Sequence, residues 1–228
     1  MSEISQHFDE LAPVYDSFKR KNWYYYQNLK KLAARFIPPG KTVLEIGTAT
    51  GDILASLLPS KGVGTDISPE MIAIAREKYK GSPNLSFFSL PADKLEKGSG
   101  FEHIILVDVV EHVDDLDALA GQIRTAASPG TRVFISMANP LWEPILMLLE
   151  KLKMKMPEGQ HNRVSAGDLA AIFRNNGFEL RQHGFSLVFP AYLPLVSVFL
   201  NWIFPKTPLL KKLCMIEYLV FQPFERAS

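Results

Sequence analysis

The chain has 228 residues, enough for one large domain with a substantial core and too few for two full ones. Its 25 Lys plus Arg against 24 Asp plus Glu exclude a global field for nucleic acid or another polyanion. The single cysteine, Cys214, excludes an internal disulfide and fits a reducing compartment, so a cytoplasmic protein is expected. The amino terminus has neither the basic start nor the apolar core of a secretory signal, and no repeat or zinc-type Cys/His spacing is present.

Residues 4–36 read as helices, with Phe8, Leu11, Ala12 and Tyr15 near helical spacing. The basic and aromatic stretch from Lys19 to Tyr26 either lies across a ligand, making residues 1–37 a lid, or packs on the domain as aromatic stripes commonly do. Pro38-Pro39-Gly40 ends this lead-in. Val43, Leu44 and Ile46 then form the β-favouring run of a buried parallel strand, and residues 52–58 resume at helical spacing. Between them stands Glu45-Ile46-Gly47-Thr48-Ala49-Thr50-Gly51. Gly47 and Gly51 allow backbone angles closed to other residues, so a ligand can lie on the main chain, facing free amides at the helix start. A glycine turn alone serves structure as readily as binding. The next segment decides, because residues 61–66 form a second strand whose acid, Asp66, is placed to accept hydrogen bonds from a ribose diol.

Ser68-Pro69-Glu70 caps a helix running to about Lys80. Residues 84–89 form a third strand, 101–108 a fourth ending in Asp108, and 131–137 a fifth, with a helix over 114–127 before it. Ser165 caps a later helix, and strands at 178–185 and 216–224 follow. This alternation predicts an α/β fold: a doubly wound, mostly parallel seven-stranded Rossmann-like sheet in a single domain, residues 1–228. Ligands in such sheets sit beyond the carboxyl ends of the strands, where Glu45, Asp66 and Asp108 all fall.

Taken together, the Glu45–Gly51 loop, Asp66, Ala92-Asp93 and Asp108-Val109-Val110-Glu111-His112 resemble the class I S-adenosylmethionine-dependent methyltransferases. The resemblance runs from about residue 8 to 187. It is closest to the small-molecule branch that includes quinone, polyprenyl-catechol and sugar methyltransferases, with Ala49 standing where the family usually has glycine. It implies S-adenosyl-L-methionine as cofactor. Gly47, Thr48 and Gly51 would lie under its methionine portion, Glu45 near its ammonium group and Asp66 on the ribose. Ala92 and Asp93 would meet the adenine edge, Ile67 and Met71 its faces, and Tyr15, Val107 and Asp108 would complete the site.

Methyl transfer is a direct displacement that needs in-line alignment, and a base if the acceptor is a hydroxyl. His161, in the loop before the Ser165 cap, is a candidate base or an ordinary surface histidine; Glu111 and His112 are further catalytic candidates. If a helical turn follows the fourth strand, Asp108, Glu111 and His112 share one face. They are similar to the acidic-x-x-Glu-His motif of polyprenyl-catechol O-methyltransferases, which binds magnesium. Magnesium on these three is therefore the alternative to a metal-free pocket floor.

Two apolar insertions leave from the sheet's carboxyl edge, at residues 140–163 and 186–215. The first predicts a helix over 140–156 with Lys151, Lys153 and Lys155 at its end; the second lies mostly in Phe185–Phe204, 20 consecutive residues without a charge. That length permits a membrane span, but Pro190, Pro194 and the returning last strand argue for an apolar cap or a monotopic membrane contact. Packing together, or against a second copy, is the other reading. The expected activity is methylation, at oxygen, of a small apolar or lipid-linked acceptor by a monomer or homodimer with peripheral membrane contact and no nucleic-acid partner. Alternatives are C-methylation of a quinone-type ring, a nicotinamide-dependent oxidoreductase, and a non-catalytic cofactor-binding scaffold.

Overall fold

The computed structural model describes residues 3–90, 100–152, 162 and 164–224. Helices α1 (Glu3–Lys21) and α2 (Trp23–Phe36) precede the sheet, with the break at Asn22. Then come β1 (Thr42–Ile46), α3 (Asp52–Ser56), β2 (Lys61–Asp66), α4 (Pro69–Lys78), β3 (Leu85–Ser89) and β4 (His103–Val107). They are followed by α5 (Leu116–Ala126), β5 (Arg132–Ala138), α6 (Glu143–Lys151), α7 (Ala166–Asn175), β6 (Phe178–Ser186), α8 (Val196–Ile203) and β7 (Ile216–Pro223).

The seven strands lie in the order β3-β2-β1-β4-β5-β7-β6. Strands β1 to β5 pair in parallel, and β7 runs antiparallel to both β5 and β6. Alternate side chains of the central strands feed two cores. Ile104 and Leu106 of β4 join Val133 and Ile135 of β5 on one face, beneath Leu119 and Ile123 of α5 and Phe173 of α7. Ile105 and Phe134 point the other way, onto Leu32 of α2, Leu54 of α3 and Ile72 of α4. With both faces covered, these strands become continuous apolar runs, the pattern that the sequence carries.

Several elements are shorter than the spacing predicts. The helix after β1 stops at Ser56, and Leu58 takes a left-handed φ of 51°. The helix after β4 begins only at Leu116, because the Asp115 side chain accepts from the Ala118 amide and caps it there. The first insertion is a 3-10 turn (Pro140–Trp142) running into α6, not one helix to 156; residues 153–161 lie outside the described ones. The second insertion contains α8 and 3-10 turns at Phe204–Lys206 and Leu210–Leu213. Among the described residues no helix is long and apolar enough to cross a membrane. Trp142 Nε1 donates to the Leu213 carbonyl at 2.8 Å, so the two insertions meet.

Candidate active site

The turn after β1 is built from three left-handed residues, Gly47 (φ 73°), Ala49 (φ 46°) and Gly51 (φ 82°). The amides of Gly47 and Thr48 both donate to the Thr65 carbonyl, which pins the turn to β2. A Cβ on Gly47 would lie 2.3 Å from Val109 Cγ2, and one on Gly51 2.8 Å from the Phe87 ring. Gly51 is thus required by packing against β3 and stands behind the wall of the cavity described next, whereas Gly47, Thr48 and Ala49 line it.

That cavity, of about 810 Å³, lies over the carboxyl ends of β1, β2 and β4 and beneath α1. At its floor Glu45, 1% exposed, accepts from Thr48 Oγ1 at 2.6 Å and from the Leu54 amide at 3.1 Å, joining strand, turn and helix. Burial pushes its carboxyl up to about 8, against those two hydrogen bonds and Lys19. Asp66 accepts from the Ser68 amide at 2.9 Å and the Ala49 amide at 2.8 Å, and burial holds its carboxyl above the ordinary value in spite of them. Ile67 and Met71 line the cavity beside it, as does Tyr15 from α1.

Val107, Asp108 and His112 form the wall after β4. Asp108 is itself left-handed (φ 55°); its Oδ2 accepts from Tyr25 Oη at 2.6 Å and its Oδ1 from Ser136 Oγ at 3.3 Å. The expected shared face of Asp108, Glu111 and His112 does not form, because the left-handed Asp108 and the following 3-10 turn (Val110–His112) separate their side chains. Glu111 Oε1 instead accepts from the Ala138 amide at 2.7 Å behind the wall, and the His112 ring meets the edge of Phe8 at 5.3 Å. Among the described residues no three His, Cys, Asp or Glu side chains are grouped to hold a metal ion. Ala92, Asp93 and His161 lie outside the described residues.

The roof is where sequence reasoning fell short. Lys19 of α1 sits between Asp16 and Asp52 and donates to Thr50 Oγ1 at 2.7 Å. Lys78 of α4 reaches the same two carboxylates at 2.7 Å each, and Tyr79 Oη donates to Asp52 at 2.7 Å. Burial would raise Asp52, but Lys19, Lys78 and Tyr79 hold it well below the usual carboxylate range. In the aromatic stretch Trp23 and Tyr26 line the cavity, and Tyr24, Tyr25 and Tyr26 pack on the core. Of this group only the Asp16–Lys19 spacing of three was visible in the sequence; Thr50, Asp52, Lys78 and Tyr79 lie 31 or more positions from Lys19.

S-adenosylmethionine fits these residues. A carboxyl waits at the end of β2 with apolar side chains beside it, a second carboxyl lies under the turn, and the close approach of Val109 leaves no room for a side chain on Gly47. The sequence family described as methyltransferase domain matches residues 16–183. A demethylmenaquinone methyltransferase of Chlorobaculum parvum is 33% identical over 147 residues, covering 59% of each chain. A ubiquinone biosynthesis O-methyltransferase of Xanthomonas axonopodis is 24% identical over 163 residues, covering 67% of this chain and 68% of that one. The chain thus spans about three fifths of the first of these relatives and two thirds of the second. The fold is shared with a putative methyltransferase from Haloferax volcanii, solved with a methyltransferase activator, at TM-score 0.73, 20% identity and coverage of 96% and 98%. It is also shared with a Synechocystis magnesium protoporphyrin IX methyltransferase holding S-adenosylhomocysteine, at TM-score 0.64, 17% identity and coverage of 97% and 98%.

Proposed function

The chain belongs to the S-adenosylmethionine-dependent methyltransferases, and from that premise we propose that it methylates a small apolar or lipid-linked acceptor at a hydroxyl oxygen. The observation that carries the acceptor class is the cavity lining, to which Phe8, Trp23, Val109 and Val113 add apolar side chains. Trp23 meets Tyr192 of the second insertion, the two rings tilted by 53° with centroids 5.3 Å apart, so the apolar cap adjoins the cavity. In this reading residues 1–37 act as a lid and residues 140–163 and 186–215 as an acceptor cap, in a cytoplasmic enzyme.

The bound cofactor supplies a methyl group on a sulfonium, open to displacement. Asp66 would accept from the ribose hydroxyls with the lone pairs that its amide partners leave, and Ile67 and Met71 would hold the adenine faces. Ala92 and Asp93 take the adenine edge. Glu45 would be the charge partner of the ammonium group, with Gly47 and Thr48 against the methionine chain. Tyr15 and Lys19 close the roof and exclude water. Val107 and Asp108 would complete the cofactor's site, with Tyr25 holding Asp108 in place. His112 and His161 are the groups that take the acceptor's proton, and Glu111 acts through its hold on the Ala138 amide as a positioning residue.

The test is transfer of labelled methyl to an isoprenoid-bearing catechol and to demethylmenaquinone, with the methylated atom located by NMR. An oxygen-methylated catechol is the expected product. The likeness to demethylmenaquinone methyltransferases favours ring-carbon methylation as the second reading, and a carbon-methylated product would replace the first. Binding of S-adenosylhomocysteine without turnover on either acceptor would refute both and leave a scaffold.

A further inference from the structure

Two helical stripes on the cap are apolar and turned outward. Leu141, Ile145, Leu148 and Leu152 recur at four, three and four residues along the first insertion and are 46–63% exposed. On α8 the stripe is Leu195, Val198, Phe199 and Trp202, 55–85% exposed, while Ser197 and Asn201 on the opposite side are held inward. Asn201 Oδ1 accepts from the amides of Val188 and Phe189, and its Nδ2 donates to the Phe189 carbonyl, so the outward turn of this stripe is fixed by hydrogen bonds. The Trp142–Leu213 bond places the two insertions side by side.

The charge around these stripes has one sign on the second insertion. From Phe185 to Ile216 there is no Asp or Glu, and the cations are Lys206, Lys211 and Lys212. Lys206 lies 4.1 Å over the Trp202 ring, and among the described residues none of the three lysines is in an ion pair. An apolar stripe with a tryptophan and lysines beside it suits the boundary between acyl chains and headgroups: the rings enter and the ammonium groups stay with the phosphates. A second copy is a poorer occupant, because a two-fold contact sets a patch against itself and would bring the same unpaired lysines together.

We infer that this face docks on an anionic lipid bilayer, with Phe199 and Trp202 entering the interface and Lys206, Lys211 and Lys212 meeting the lipid phosphates. It needs no turnover and stands whether or not the acceptor is lipid-linked. Because Tyr192, in the same insertion, packs against cavity-lining Trp23, docking also brings the cavity rim toward the membrane.

The experiment is co-sedimentation of the full chain with vesicles of phosphatidylcholine alone or mixed with phosphatidylglycerol. Binding is expected to the mixed vesicles and to weaken with added salt. Replacing Lys206, Lys211 and Lys212 with serine is expected to weaken it roughly a hundredfold. The double substitution Phe199→Glu, Trp202→Glu is expected to abolish it while S-adenosylhomocysteine binding, the control for folding, stays unchanged. Failure to bind either vesicle, or binding indifferent to both sets of substitutions, overturns the inference. So does a dimer in sedimentation velocity that the double substitution disperses, with no vesicle binding, since a second copy would then be the occupant.

Discussion

At the scale of single residues, the turn after β1 carries strain that one substitution can release. Ala49 holds a left-handed φ of 46°, which costs a residue with a Cβ about 1–2 kcal/mol. Glycine avoids that cost and returns about 0.5–1 kcal/mol of it through greater unfolded-state freedom. Ala49→Gly is therefore expected to raise stability by about 0.5–1 kcal/mol, seen as a higher urea midpoint; a lower midpoint would mean that the methyl packs better than it strains. Glu45 gives a second prediction. A carboxyl held near 8 in the fold, against an ordinary 4.5, binds its proton more tightly folded than unfolded, so stability falls as pH rises between those values. Burial favours the neutral form of Glu45, and an arriving ammonium group favours the ionised one. Binding of S-adenosylhomocysteine is expected to release close to one proton, measured by calorimetry in buffers of different ionisation enthalpy. No buffer dependence would remove Glu45 from the ammonium.

At the scale of elements, α1 is seated by apolar packing and by polar links along its length. Leu11 and Ala12 bury against Met71, Ser5 Oγ donates to the Ile67 carbonyl, Ser68 Oγ donates to Asp9, and the Lys19 and Lys78 bridges hold its carboxyl-terminal end. Asp16 and Asp52, held low in the fold, contribute fully above their unfolded value of 3.8 and lose that contribution as pH falls. Lys19→Met leaves Asp52 with Lys78 and Tyr79 alone. It is expected to cost about 2 kcal/mol, between the values for exposed and buried pairs, and to weaken cofactor binding as the roof loosens. Denaturation and cofactor titration check both effects, and a variant unchanged in each would show that the Lys19 bridge does not help to seat α1. The failed metal face is a lesson of the same scale. The spacing of Asp108, Glu111 and His112 assumed regular helix, and one left-handed residue sent the three side chains to different partners.

For the whole molecule, what the sequence made legible was local. Each central strand had to be apolar on both faces, so β1, β4 and β5 announced themselves. The glycine turn and the acid at Asp66 follow from backbone demands within a few residues. Lys19, Lys78 and Tyr25 were hidden because their significance lies in partners brought close only by the crossings of the sheet. The α6 and α8 stripes were visible as apolar runs, but not which of their sides faced outward. The antiparallel pairing of β6 and β7, with Ser186 opposite Ile216, leaves the second insertion as an outsized hairpin loop. Loop-closure entropy grows only logarithmically, so a loop of roughly thirty residues costs about 2 kcal/mol more than one of about four. Strand register and the β1–β4 floor need not change when that loop does. That loop can thus be exchanged for another segment at little cost to folding, leaving the cavity over β1, β2 and β4 as it is.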